Sequence, residues 1–279
     1  MNQVWHRVSK KRPCEGCKKP DWCTYTDDGK YCCMRLTSDR PLKNGGWLHT
    51  AANPVAGIPV TRKPKKPVTI DAGALWRGWK DKTTPKRVNE LGDALGVEGG
   101  ALWMIGACWI PERQAWGFPM YDAKGKIVGI RIRTLEGDKY AWTGSRNALF
   151  RSTMPVDNKQ PLWLVEGPTS LSAALTLGLG AIGRPNCSAC DEMAVEYVRL
   201  NRIRRVVICA DVDENEAGLR GAEKLQKVLT VPSVIVFPPV GKDLRDFLKA
   251  GGTRDELESM LRNFIWSVPG KVKRKAHHV

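Results

Sequence analysis

No stretch of this chain approaches the roughly 20 consecutive apolar residues that a membrane-spanning helix needs. Its first residues, Met1-Asn-Gln-Val-Trp-His-Arg7, lack the apolar run of a secretory signal. Internal repeats are missing, and so is a Gly-x-x-x-x-Gly-Lys-Ser/Thr phosphate loop. Acidic side chains are scarce: 29 Asp and Glu face 45 Lys and Arg, a net charge of +16 over 279 residues. The first two absences predict a cytoplasmic protein without a membrane partner. The acid deficit predicts a polyanionic one, because each neutralised phosphate releases counterions. Apolar residues make up 42% of the chain, enough for one large domain or two smaller ones.

Cysteines are present but uneven. Five of the nine fall between Cys14 and Cys33. In a reducing compartment such a cluster points to metal binding rather than disulfides. Cys14-Glu-Gly-Cys17 is a Cys-x-x-Cys knuckle, followed by Cys23 and the pair Cys32-Cys33. Four thiolates close a tetrahedral structural zinc site, which leaves one cysteine over. His49 is a further ligand candidate, with a surface or capping role as its alternative. Cys187-Ser-Ala-Cys190 stands alone and reads as incidental; Cys108 and Cys209 read as core.

The chain divides into a zinc-binding domain over 1–50, a Pro/Lys-rich linker over 51–69, and a basic α+β subdomain over 70–160. A mostly parallel α/β subdomain over 161–265 and a basic tail over 266–279 follow. Helical spacing covers 72–80 and 85–95. Two strands flank a turn at Asp122–Gly125, and in the second one Ile130 and Ile132 alternate with Arg131 and Arg133. Beyond 161 the pattern alternates: strand 162–165, helix 169–177, strand 181–182, helix 190–200, strand 206–210, helix 217–229, strand 233–237. Such alternation predicts a parallel sheet covered on both faces.

Three acidic clusters follow three of these strands: Glu166-Gly167, Asp211-Val212-Asp213 and Lys242-Asp243 with Asp246. The C-terminal strand ends of an open parallel sheet form its ligand crevice. Carboxylates gathered there repel one another unless a cation intervenes, and hard oxygen donors suit Mg²⁺ or Mn²⁺ bound together with phosphates. Residues two apart in an extended segment share a side, so Asp211 and Asp213 can serve one metal centre. The alternative for each carboxylate is a helix cap or a solvated loop.

The order of these clusters, with gaps of roughly 45 and 30 residues, resembles the Toprim fold shared by primases, topoisomerases and some nucleases. Two departures stand out. Ser170 occupies a position where the family often has Asp, and Gly218 comes about two residues later than the Gly that usually closes the Asp-x-Asp loop. The N-terminal stretch, with Lys19-Pro-Asp-Trp-Cys23 and Cys33-Met-Arg35, is similar to phage and plasmid primases. That resemblance implies Cys14, Cys17, Cys23 and Cys33 as zinc ligands, with Cys32 the alternative to Cys33.

It also implies that the basic segment before the Toprim part carries template and nucleotide phosphates, through Arg131, Arg133, Lys139 and Arg146. Alternate strand residues give an arginine row at about 7 Å, close to the phosphate repeat of single-stranded DNA. Lys124 and Lys126 lie at the adjoining turn, and Trp103, Trp109, Trp116 and Trp142 read as base-stacking or core residues. Lys242 either contacts phosphate or pairs with a carboxylate. The implied activity is primer synthesis on single-stranded DNA from nucleoside triphosphates, with Glu166, Asp211, Asp213 and Asp243 holding the catalytic cations and Asp246 a further candidate. Without a phosphate loop, unwinding would fall to a separate helicase.

Overall fold

The computed structural model describes residues 4–43, 45–50 and 68–267. The expected linker over 51–69, except for its last two residues, and the tail from 268 onward lie outside them. The chain forms two compact units, Met1–Pro67 and Val68–Val279.

The first unit is an antiparallel four-stranded sheet in sequence order: β1 (His6–Arg7), β2 (Thr24–Tyr25), β3 (Lys30–Cys33) and β4 (Trp47–Thr50). Its core is small. Val8, Tyr31 and three cysteines, Cys14, Cys23 and Cys33, make up the buried cluster.

The second unit opens with helices α1 (Ala72–Lys80), α2 (Pro85–Leu95) and α3 (Gly99–Met104). Asp71 caps α1 by accepting from Ala74 N at 2.9 Å, and Thr84 caps α2 ahead of Pro85. An antiparallel sheet follows, β5 (Cys108–Ile110), β6 (Ala115–Tyr121), β7 (Ile127–Thr134) and β8 (Lys139–Ala141). In β7, Ile130 and Ile132 are buried while Arg131 and Arg133 lie on the other face, partly open to solvent.

A five-stranded sheet completes the unit. Its elements run β9 (Phe150–Arg151), β10 (Leu162–Glu166), α4 (Gly167–Thr176), β11 (Ala181–Arg184), α5 (Asp191–Leu200), β12 (Val206–Cys209), α6 (Ala217–Val228) and β13 (Ser233–Val236). Helices α7 (Leu244–Lys249) and α8 (Arg254–Leu261) follow. The strand order is β13-β12-β10-β11-β9, parallel except for β9, which pairs antiparallel with β11 at the edge. Two clusters of buried residues cover its two faces, one rich in α4 side chains and the other in α5 and α6 side chains.

Three differences from the sequence pattern have local causes. Helix α4 starts at Gly167 rather than at 169, because Pro168 is tolerated in a first turn that needs no N–H. The short elements α3, α7, α8, β8 and β9 carry too few residues for a period to show. Two-residue β9 joins the sheet from ahead of residue 161, so the sheet draws on both sides of the expected subdomain boundary.

Candidate functional site

The parallel strands β10, β12 and β13 point one way, so their C-terminal ends gather on one edge. Glu166 is the last residue of β10, with Arg184, the last of β11, directly beside it in register. Asp211 and Asp213 follow β12. The Val212 N–H donates to Lys242 O at 2.9 Å, which ties the Asp-x-Asp segment to the loop carrying Asp243. Gly167 has φ +78 and open space around its α-carbon; the turn from Glu166 into α4 needs glycine for conformation rather than for close approach. Gly218 is the reverse case. A β-carbon there would stand 2.3 Å from Asp211 O, so the late glycine still closes the loop. Its N–H donates to Asp213 Oδ2 at 3.2 Å. Ser170 is buried within α4.

The electrostatics record the crowding. Burial pushes the Asp211 carboxyl up to about 7, and the neighbouring charges of Glu166, Asp243 and Asp213 add to it. Burial also raises Glu166, with Asp213 adding to the rise and Arg184, Lys242 and Lys139 opposing it. Lys242 donates to Asp213 Oδ1 at 3.2 Å, and that bond raises its own pKa. Asp243 caps α7 by accepting from Asp246 N at 2.9 Å. Asp246 is turned elsewhere, accepting from Lys242 N at 3.2 Å and lying 3.6 Å from Arg245 Nη2. The acidic groups are neighbours in charge, but their oxygens do not form a set all within 4.8 Å of one another, as the zinc-module sulfurs do among the described residues.

A basic wall faces these acids. Arg133 on β7 is the register partner of Lys139 on β8, with Arg131 two residues back on the same face. Burial lowers the pKa of Arg131 and Arg133. Lys139 keeps solvent contact, yet desolvation lowers it, helped by Arg133 and Arg245 and opposed by Asp243 and Asp211. Arg146 stands apart. It is exposed, and its N–H donates to Val128 O at 3.1 Å, near the other end of β7 from Arg133. Lys124 and Lys126 sit in the β6–β7 turn, where Asp122 Oδ1 accepts from both backbones. Trp109 and Trp116 are buried edge to face; Trp142 packs on Trp79; Trp103 is partly exposed with Lys80 Nζ 3.2 Å from its ring centre.

Arg245 and Arg184 carried no role in the sequence pattern. Arg245 lies inside the third acidic tip, on a helix of six residues. Arg184 comes one glycine after the short apolar pair Ala181-Ile182; it is buried and bound to Asp191 Oδ1 at 2.7 Å. Cys187 feels the charges of Glu166 and Asp213, so the second Cys-x-x-Cys borders the acidic edge. Cys108 and Cys209 are buried core residues. A cavity of about 860 Å³, lined by Trp163, Gly180 and Arg205 among others, opens at the N-terminal strand ends, away from the carboxylates.

In the first unit the sulfurs of Cys14, Cys17, Cys23 and Cys33 all lie within 4.8 Å of one another. Adjacent residues of a strand face opposite ways, so only one of Cys32 and Cys33 can join the set, and it is Cys33. Its Sγ accepts from Arg35 N at 3.4 Å and Leu36 N at 3.3 Å. A hydrogen bond with the Cys14 thiol, together with these N–H groups, lowers the Cys33 pKa. Four buried or half-buried sulfurs at this spacing fit a structural zinc ion. His49 is not a ligand here: its Nε2 lies 3.2 Å from Leu36 O and its ring stacks on Tyr31.

Solved structures share this fold. The E. coli primase catalytic core aligns with a TM-score of 0.52 at 16% identity, over 70% of this chain and 79% of that one. The chain has a primase fold. The zinc-binding and RNA polymerase domains of the Aquifex aeolicus primase match this primase fold with a TM-score of 0.55 at 16% identity, over 69% and 60% of the two chains. The primase fragment of the bacteriophage T7 primase-helicase matches with 0.51 at 16% identity, over 94% of this chain and all of that one. No family model and no curated protein matches the sequence. In this primase fold the mostly parallel sheet is the Toprim part, the β5–β8 sheet precedes it, and the four-cysteine module is zinc-ribbon-like.

Proposed function

We propose that this chain is a DNA primase, which joins nucleoside triphosphates into short oligonucleotides on single-stranded DNA. The observation that carries the reading is the crowding of Glu166, Asp211, Asp213 and Asp243 beside Arg133, Lys139 and Arg245 on a primase fold. Carboxylates in that state call for a divalent cation, and oxygen donors favour Mg²⁺ or Mn²⁺. Bound there, the cation supplies activation of the attacking 3′-hydroxyl and neutralisation of the leaving pyrophosphate.

The chain's own residues do the rest. Glu166, Asp211, Asp213 and Asp243 hold the cations, and Asp246, whose oxygens meet Lys242 N and Arg245, is a further candidate. Arg131, Arg133 and Arg245 bind triphosphate and template phosphates in the two-point manner open to guanidinium, and Lys139 adds a point charge. Lys242 rests on Asp213 until a substrate phosphate replaces it. Arg146 touches template farther along β7. Residues 1–50 bind zinc and read template, 51–69 link, 70–160 form the basic subdomain and 161–265 the Toprim subdomain. We place the reaction in the cytoplasm, with unwinding left to a separate helicase.

Random single-stranded templates incubated with labelled triphosphates and Mg²⁺ test this. A ladder of short products, abolished by Asp211→Ala, is expected. Shortened template without product identifies a Toprim nuclease instead. Binding without either reaction, unchanged in Asp211→Ala plus Asp213→Ala, identifies a non-catalytic binding factor.

A further inference from the structure

We infer that Trp22 is a stacking platform for one unpaired nucleobase, held in place by Arg35 and flanked by Lys18 and Lys19. The inference rests on the zinc module's role in reading template and assigns a contact within it.

Trp22 is 71% exposed, the most open tryptophan side chain among the described residues. Its backbone has φ +67, a conformation that bulky side chains adopt only when their surroundings impose it. Arg35 stands beside it. Its guanidinium stands 5.8 Å from the indole centre, donates from Nη1 to Asp21 O at 2.9 Å, and pairs through Nη2 with Asp21 Oδ1 at 2.5 Å. The same Nη1 lies 3.8 Å from Cys17 Sγ and 3.9 Å from Cys23 Sγ. One arginine therefore ties the metal-ligand sulfurs to the residue before Trp22 and to one side of its ring.

The setting suits a nucleotide. Lys18 follows Cys17 and Trp22 precedes Cys23, two residues whose sulfurs lie 3.8 Å apart. Lys18 also has positive φ, and Lys18 and Lys19 are solvent-exposed. Asp21, the one nearby carboxylate in that segment, is matched by Arg35. Residues 1–50 carry 10 Lys and Arg against 5 Asp and Glu. An indole face open to solvent beside cations binds a base by stacking while the cations meet its phosphate, and any base has a face to offer.

The test measures fluorescence anisotropy of a labelled single-stranded oligonucleotide with the full zinc-loaded chain in Mg²⁺-free buffer. Trp22→Ala is expected to weaken binding roughly tenfold, while Trp22→Phe keeps most of it. Zinc content stays that of the unsubstituted chain in both. Stacking moves no counterions, so the slope of affinity against salt stays unchanged in Trp22→Ala, and it falls in Lys18→Ala plus Lys19→Ala. On an oligonucleotide abasic throughout, the Trp22→Ala deficit disappears. Binding by Trp22→Ala within twofold of the unsubstituted chain overturns this inference alone. Failure of the unsubstituted chain to bind at all overturns it together with the primase reading.

Discussion

Asp211 is placed where its own charge is least welcome. It is largely buried, and three other carboxylates act on it, which moves its proton affinity from the usual aspartate range to about 7. The folded state then binds a proton that the unfolded state releases near pH 4. Stability of the cation-free protein therefore falls as pH rises from about 4 through about 7. Asp211→Asn removes that charge at nearly constant shape. In chelator at pH 8 the variant is expected to be more stable by about 2–4 kcal/mol, several degrees in melting temperature. The gain should shrink towards pH 4 and vanish when Mg²⁺ is added, because the aspartate then has its counter-ion. Thermal melts across that pH range check it, and an Asn variant no more stable than the parent at pH 8 would sink the account. At this scale the acids were legible, since Glu166, Asp211 and Asp213 stand where apolar runs stop and Asp243 follows in the loop beyond the last strand. Arg245 was not, because its place beside Lys139 exists only after α7 has folded back.

At the scale of elements, the period of two along β7 showed in advance which face Arg131 and Arg133 share. What it could not show was the partner strand. Lys139 meets Arg133 because β8 returns antiparallel in that register, and three residues give no pattern of their own. Arg146 entered the same basic set by proximity in sequence, yet the chain brings it alongside Val128 instead. A gradient of effect follows. Arg133→Ala and Lys139→Ala should each weaken triphosphate binding about tenfold, the worth of one charged hydrogen bond, whereas Arg146→Ala should change it less than about twofold. Calorimetric titration with a non-hydrolysable triphosphate and Mg²⁺ measures all three. Equal losses at Arg146 and Arg133 would mean that the phosphates do not lie where β7 and β8 meet.

For the whole molecule the contrast between the two units decides what metal removal does. The second unit buries two extensive apolar clusters against its main sheet. The first has few buried apolar side chains besides its cysteines, too little core for about 50 residues to fold without a staple. Four sulfurs drawn within 4.8 Å are stable as a group only when a cation offsets thiolate repulsion, so metal binding there is folding free energy. A strong chelator should therefore make residues 1–50 susceptible to protease while a fragment starting near residue 68 resists and keeps its melting transition. Metal analysis should find about one zinc per chain beforehand. Cys33→Ser should reproduce the chelated state without chelator. Cys32→Ser should not, because that side chain leaves β3 on the face opposite the cluster. Limited proteolysis with mass spectrometry reads both outcomes, and a metal-free chain whose first 50 residues stay resistant would show that β1–β4 hold without the ion.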